Sequence, residues 1–115
     1  MMTDFHIDHL SNPRNSGKLK NYDKIIEAKS DYCGDMIRFY IKFNGDKIEN
    51  VGYEVFGCWA IISACSIISE YMEGKTIKEL RDLTEKDIER ICQVDKVPEI
   101  KRHCFLLPIK ILKEI

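Results

Sequence analysis

The sequence predicts an α+β fold, and three observations carry that prediction. A β-hairpin is written across residues 36–56, the hydrophobic period changes at Gly57-Cys58, and every later segment reads as helix. Strands followed by a run of helices is the α+β pattern; an α/β protein would alternate them.

In order along the chain, Thr3 to Leu10 reads as a short helix, stopped by Ser11-Asn12-Pro13-Arg14-Asn15-Ser16-Gly17, where proline and glycine break the pattern. Residues 24–31 read as a first strand. From Met36 to Phe43, Ile37, Phe39, Ile41 and Phe43 share one face, with Arg38 and Lys42 on the other, the period of a half-buried strand. Asn44-Gly45 is a hairpin turn because both residues tolerate positive φ. The return strand runs from Lys47 to Phe56, with Val51, Tyr53 and Val55 alternating. A largely buried helix spans Ala60 to Met72 and stops at Gly74. Residues 76–82 form a short helical turn, Thr84 caps a helix to Cys92 with Asp87 closing a capping box, and Pro98 opens another turn. A last helix is expected from Cys104 to Ile115, with Pro108 in or near its first turn.

At 115 residues the chain has the size of one domain, 1–115. Eighteen basic residues face 19 acidic ones for a net charge of −1, so no basic field favours nucleic acid. No apolar run approaches the roughly 20 residues of a membrane span. The N-terminal segment carries Asp4, His6, Asp8 and His9 in place of an apolar signal region, so a cytoplasmic protein is expected. His6 and His9 have no cysteine neighbours in sequence and read as surface residues.

Five cysteines are an odd number and too few for a disulfide scaffold, so thiols are expected to serve as core residues, metal ligands or nucleophiles. Cys92, beside Ile88 and Ile91, and Cys65, inside the apolar helix, read as small buried hydrophobes. Cys33, Cys58 and Cys104 stand at the ends of elements, where side chains can converge. Cys58 and Cys104 lie near expected helix starts, where backbone N–H groups favour the thiolate that binds metal or attacks sulfur. The intervals of this trio are not a local zinc pattern such as C-x-x-C, so spacing alone leaves a shared metal site open.

Asp8-His9, Asn12-Pro13-Arg14-Asn15 with Gly17, Cys33-Gly34-Asp35, Phe56-Gly57-Cys58, Gly74-Lys75-Thr76 and Lys101 with His103-Cys104 occur in this order across nearly the whole chain. In this set the sequence resembles the iron–sulfur cluster assembly scaffolds of the IscU type, including the N-terminal domain of NifU. The resemblance implies a three-stranded antiparallel sheet with an N-terminal helix and C-terminal helices packed on it. It implies that Cys33, Cys58 and Cys104 ligate a [2Fe–2S] cluster, with Asp35 and His103 at the same site. Such a cluster needs four protein ligands, so Asp35 or His103 would fill the fourth position. A hard carboxylate suits a soft iron–sulfide centre poorly, and incomplete thiolate ligation suits a protein that must release its cluster. The same set could hold Zn²⁺ tetrahedrally. Lys101 could pair with a cluster sulfide, with Asp35 or with a partner.

The implied function is a scaffold, consumed and regenerated, and not an enzyme with turnover. Its implied partners are a cysteine desulfurase, which docks in part on Phe5 to Leu10, and acceptor apo-proteins; either a monomer or a homodimer is compatible. A zinc-assisted persulfide carrier is the alternative. Three departures stand out. Trp59 replaces a small residue usual in the family, Cys65 stands in place of a serine, and Val97-Pro98-Glu99-Ile100-Lys101 matches only partly the Leu-Pro-Pro-Val-Lys segment read by a dedicated Hsp70-type chaperone. The short interval from Cys58 to Cys104, together with His103, favours the IscU-type branch over the zinc-dependent SufU branch.

Overall fold

The computed structural model describes residues 3–30 and 34–115. The order of elements is α1 (Asp4–Ser11), β1 (Lys24–Lys29), β2 (Met36–Asn44), β3 (Lys47–Phe56), α2 (Trp59–Met72), α3 (Ile77–Arg81), α4 (Glu85–Ile91), two 3₁₀ turns (Val94–Lys96 and Glu99–Lys101), α5 (Arg102–Leu106) and α6 (Ile109–Lys113). The strands form one antiparallel sheet in the order β1-β2-β3. This is the α+β architecture the sequence predicts. Residue 31, at the end of the expected first strand, lies outside the described residues, as does Cys33.

Ile37, Phe39 and Ile41 of β2 are buried on one face, as their alternation requires. In β3, Ile48 and Val51 are both buried although three residues apart. A register shift opposite Lys42 and Phe43 reconciles them, because an extra residue restores the inward phase. The edge of β3 is covered by the segment after α1: Gly17 N–H donates to the Tyr53 carbonyl at 2.8 Å. Gly52 admits that segment. A Cβ there would lie 2.7 Å from the Gly17 carbonyl oxygen and 2.9 Å from Leu19 Cβ.

α2 packs across the sheet through Ile61, Ala64, Cys65 and Ile68, all fully buried. Cys65 and Cys92 are core residues, as expected. Gly74 follows α2 with φ +83°, the left-handed conformation that ends a helix. Thr76 with Glu79 and Thr84 with Asp87 form complete capping boxes at the starts of α3 and α4.

Two expectations are corrected. His6 and His9 are buried. The Nε2–H of His6 donates to the Cys92 carbonyl at 2.8 Å, and its Nδ1 lies 2.7 Å from Thr3 Oγ1. His9 Nδ1 lies 2.7 Å from Ser66 Oγ, which also accepts the Arg14 N–H at 2.8 Å. α1 therefore seats its polar side on Ser63 and Ser66, and the segment after it on Ser66 and Ser69, a buried serine stripe of α2. The last helix is also two helices rather than one, beginning at Arg102 and interrupted before Ile109. Pro108 has no N–H to offer the Cys104 carbonyl four residues earlier, and its ring crowds that carbonyl.

Candidate metal centre

Asp35 enters from the first residue before β2, Cys58 from the N-cap of α2 and Cys104 from α5. Gly34 has φ +71°, so the chain turns sharply just before Asp35. Gly57 makes room for the carboxylate: a Cβ there would lie 2.7 Å from Asp35 Oδ1 and 2.3 Å from Ile61 Cγ2. In the sequence, Gly57 marks only the end of the strand and gives no sign of this role.

Among the described residues, Asp35, Cys58 and Cys104 form the one group whose possible metal-ligating atoms all lie within 4.8 Å of each other. Cys58 Sγ and Cys104 Sγ are 3.8 Å apart, and Cys104 Sγ is 3.6 Å from Asp35 Oδ2. His103 Nε2 reaches back to within 3.5 Å of the same sulfur. A tetrahedral ion with Zn–S, Zn–O and Zn–N bonds of about 2.3, 2.1 and 2.05 Å has S···S, S···O and S···N edges of about 3.8, 3.6 and 3.6 Å. The three separations about Cys104 match those edges, but His103 does not join the group whose ligand atoms all lie within 4.8 Å of one another, so the structure brings Asp35, Cys58 and Cys104 together and leaves His103 in contact with Cys104. Adjacent residues on a regular helix would diverge, yet at this helix start the imidazole folds onto its neighbour's thiol. Asp35 is 6% exposed and Cys104 2%, so the centre is shielded on its inner side.

Cys58 is tuned toward its thiolate. Burial pushes its pKa up, but the N–H groups of Ile61 and Ala60, the Cys104 thiol and the charge of Lys101 outweigh it and hold the pKa below the ordinary thiol value. Neither amide makes a formed cap hydrogen bond to the sulfur, so they act as dipoles at the start of a 14-residue helix. Burial pushes the Cys92 thiol up to about 12 and raises Cys65 well above its usual value. The two core thiols are thus inert where Cys58 is primed.

The sequence matches the NifU-like N terminal domain family over residues 1–114. The chain belongs to that family. The iron–sulfur cluster assembly scaffold protein IscU 1 of Archaeoglobus fulgidus is 34% identical over 113 residues, covering 98% of this chain and 72% of the relative. The scaffold protein IscU of Aquifex aeolicus is 36% identical over 108 residues, covering 92% and 68%. The crystal structure of a protein assigned as a SUF-system iron–sulfur cluster assembly scaffold, from Fervidobacterium islandicum AW-1, superposes with a TM-score of 0.81 at 28% identity, covering 98% of this chain and 94% of that one. The chain is thus similar both to proteins named IscU and to a SUF-system protein.

Proposed function

We propose that this protein is a scaffold on which a [2Fe–2S] cluster is assembled and from which it passes to acceptor apo-proteins, with residues 1–115 acting as one domain. The observation that carries the reading is the convergence of Asp35, Cys58 and Cys104, whose possible ligand atoms all lie within 4.8 Å of one another. Family membership supports it.

In this reading Cys58 and Cys104 supply two soft thiolates to the incoming iron, and Asp35 or His103 supplies the ligand that is not a thiolate. Cys33, two residues before Asp35, supplies the third thiolate. The lowered pKa of Cys58 means that metal displaces a proton there more readily than from an ordinary thiol. Sulfur reaches the site as the persulfide of a cysteine desulfurase, and each sulfur atom needs two electrons from an external reductant to become sulfide. The cluster is cargo. A ligand set that includes a carboxylate or an imidazole holds it less firmly than four thiolates would, which favours release.

Anaerobic reconstitution with iron, sulfide and a thiol reductant tests the proposal. The expected product carries two irons and two sulfides per cluster with sulfide-to-iron charge-transfer bands. Serine at Cys33, Cys58 or Cys104 should abolish or gravely weaken it, and serine at Cys92 should lower stability while leaving cluster yield intact. Normal yield from Cys58→Ser would sink the ligand assignment. Zinc-stimulated sulfur uptake with no cluster would point to a persulfide carrier instead.

A further inference from the structure

The residues after Cys58 and Cys104 are both aromatic, and the two rings touch. Trp59, following Cys58, meets Phe105, following Cys104, edge-on with centroids 6.3 Å apart. Phe105 is fully buried and also receives the His6 ring edge-on at 5.4 Å. His6 is itself fully buried and is tied at both nitrogens, to the Cys92 carbonyl at the C-cap of α4 and to Thr3. Phe5 packs edge-on against both His6 and His9, at 5.3 and 4.9 Å. A row of rings therefore runs from the N-terminal helix to the backbone positions beside Cys58 and Cys104.

α5 cannot hold itself in place. It has five residues, far short of the dozen or more at which a helix persists alone, so its tilt is set by what it rests on. Phe105 is one of its two buried anchors, and the other is Cys104 itself. An ion with bonds fixed to within about 0.2 Å tolerates little drift between two sulfurs.

We propose that His6 is a positioning residue for the metal centre: its imidazole braces Phe105 and so holds Cys104 at the tetrahedral-edge distance from Cys58. The proposal rests on the reading that Cys58 and Cys104 bind metal together. It follows that seating of α1 and metal capture strengthen one another, since coupling between two sites is reciprocal. An edge-on ring contact corresponds to about a 2- to 12-fold change in an equilibrium constant.

The test is a Zn²⁺ titration against a chromophoric chelator, repeated with Co²⁺, whose thiolate charge-transfer band reports sulfur ligation. Wild type, His6→Ala, His6→Phe and Ile48→Val are compared, the last being a core trim on β3 away from α1 and α5. His6→Ala should bind about 3- to 10-fold more weakly. His6→Phe keeps a ring on Phe105 but loses the bond to Cys92, and should stay within about twofold of wild type. Ile48→Val should not change affinity. Wild-type affinity in His6→Ala, or a His6→Phe as weak as His6→Ala, overturns the proposal. Should His6→Ala fail to fold, hydrogen exchange on the unaltered chain decides: Zn²⁺ must slow exchange of the amides of residues 7–12, and unchanged rates overturn the proposal. Zn²⁺ binding by the wild type that is indifferent to Cys58→Ser sinks the metal-site reading itself, and this inference with it.

Discussion

A single methyl group at Gly57 should disturb both the fold and the site. The Cβ of Gly57→Ala would sit 2.3 Å from Ile61 Cγ2 and 2.7 Å from Asp35 Oδ1. Neither neighbour moves freely. Ile61 is fully buried and β-branched on a helix, where one rotamer dominates, and Asp35 is buried beside Cys104. Overpacking of this kind costs about 1–3 kcal/mol. Unfolding entropy of about 2.1 cal/mol/K per residue, over a chain of 115 residues, makes each kcal/mol worth about 4 °C, so the midpoint should fall by about 4–12 °C. Part of that cost is specific to the carboxylate. In an Asp35→Ala background the same methyl meets no carboxylate oxygen, while the contact with Ile61 remains. A double-mutant cycle by thermal or denaturant unfolding should therefore show Gly57→Ala to be at least ~0.5 kcal/mol less damaging when Asp35 is absent. Strict additivity, or a Gly57→Ala protein as stable as wild type, would refute the claim that Gly57 is bare to admit Asp35.

Three other outcomes are expected. Iodoacetamide mapped by peptide mass should modify Cys58 ahead of Cys65 and Cys92, which should label only on unfolding, since burial holds their thiols protonated; early labelling of Cys92 would contradict the packing. Burial, reinforced by Arg14 and His6 against the opposing pull of Glu70 and Asp8, holds the His9 pKa below its usual value, so the unfolded chain takes up the proton first. Stability should then fall as pH drops below about 6.5, and His9→Gln should flatten that part of a urea-midpoint profile; a slope unchanged by the substitution would assign it to another group. Asp35→Ala should still assemble a cluster through His103 or an added thiol, and should hold it longer under a chelator and pass it more slowly to an apo-ferredoxin; faster decay and transfer would show that Asp35 protects the cluster.

The sheet was readable because its signals are local. Alternation along residues 36–43 and the Asn44-Gly45 turn specify pairing and face without reference to distant parts of the chain. The histidines of α1 read as surface residues because no cysteine stands beside them in sequence, yet they are buried. Their partners lie near residue 66 and residue 92, far along the chain. A signal was present in α2, where Ser63, Ser66 and Ser69 recur every three residues in an otherwise apolar helix. Buried hydroxyls need partners, so such a stripe announces a polar element docked upon it. The metal centre was legible only through family resemblance, because residues 35, 58 and 104 converge by tertiary packing and their spacing carries no local pattern. Gly57 and Phe105 act through excluded volume and ring contact, which a string of letters does not display.

The strap across β3 has a consequence for how this chain is handled in truncation experiments. Exposed strand edges are templates for uncontrolled polymerisation, and proteins blunt them. Here Gly17 satisfies the outward carbonyl of Tyr53, and Gly52 lets the strap lie flush. The strap is held on α2, where Arg14 and Asn15 are moored to Ser66 and Ser69, and His9 of α1 bonds to the same Ser66. Cutting away the first ten residues to probe docking would remove His6 and His9 from the core and slacken that mooring. Lost binding by such a fragment would then measure self-adhesion of a bared strand as much as a missing contact, and point substitutions on the outer face of α1, at Ile7 for example, make the cleaner probe.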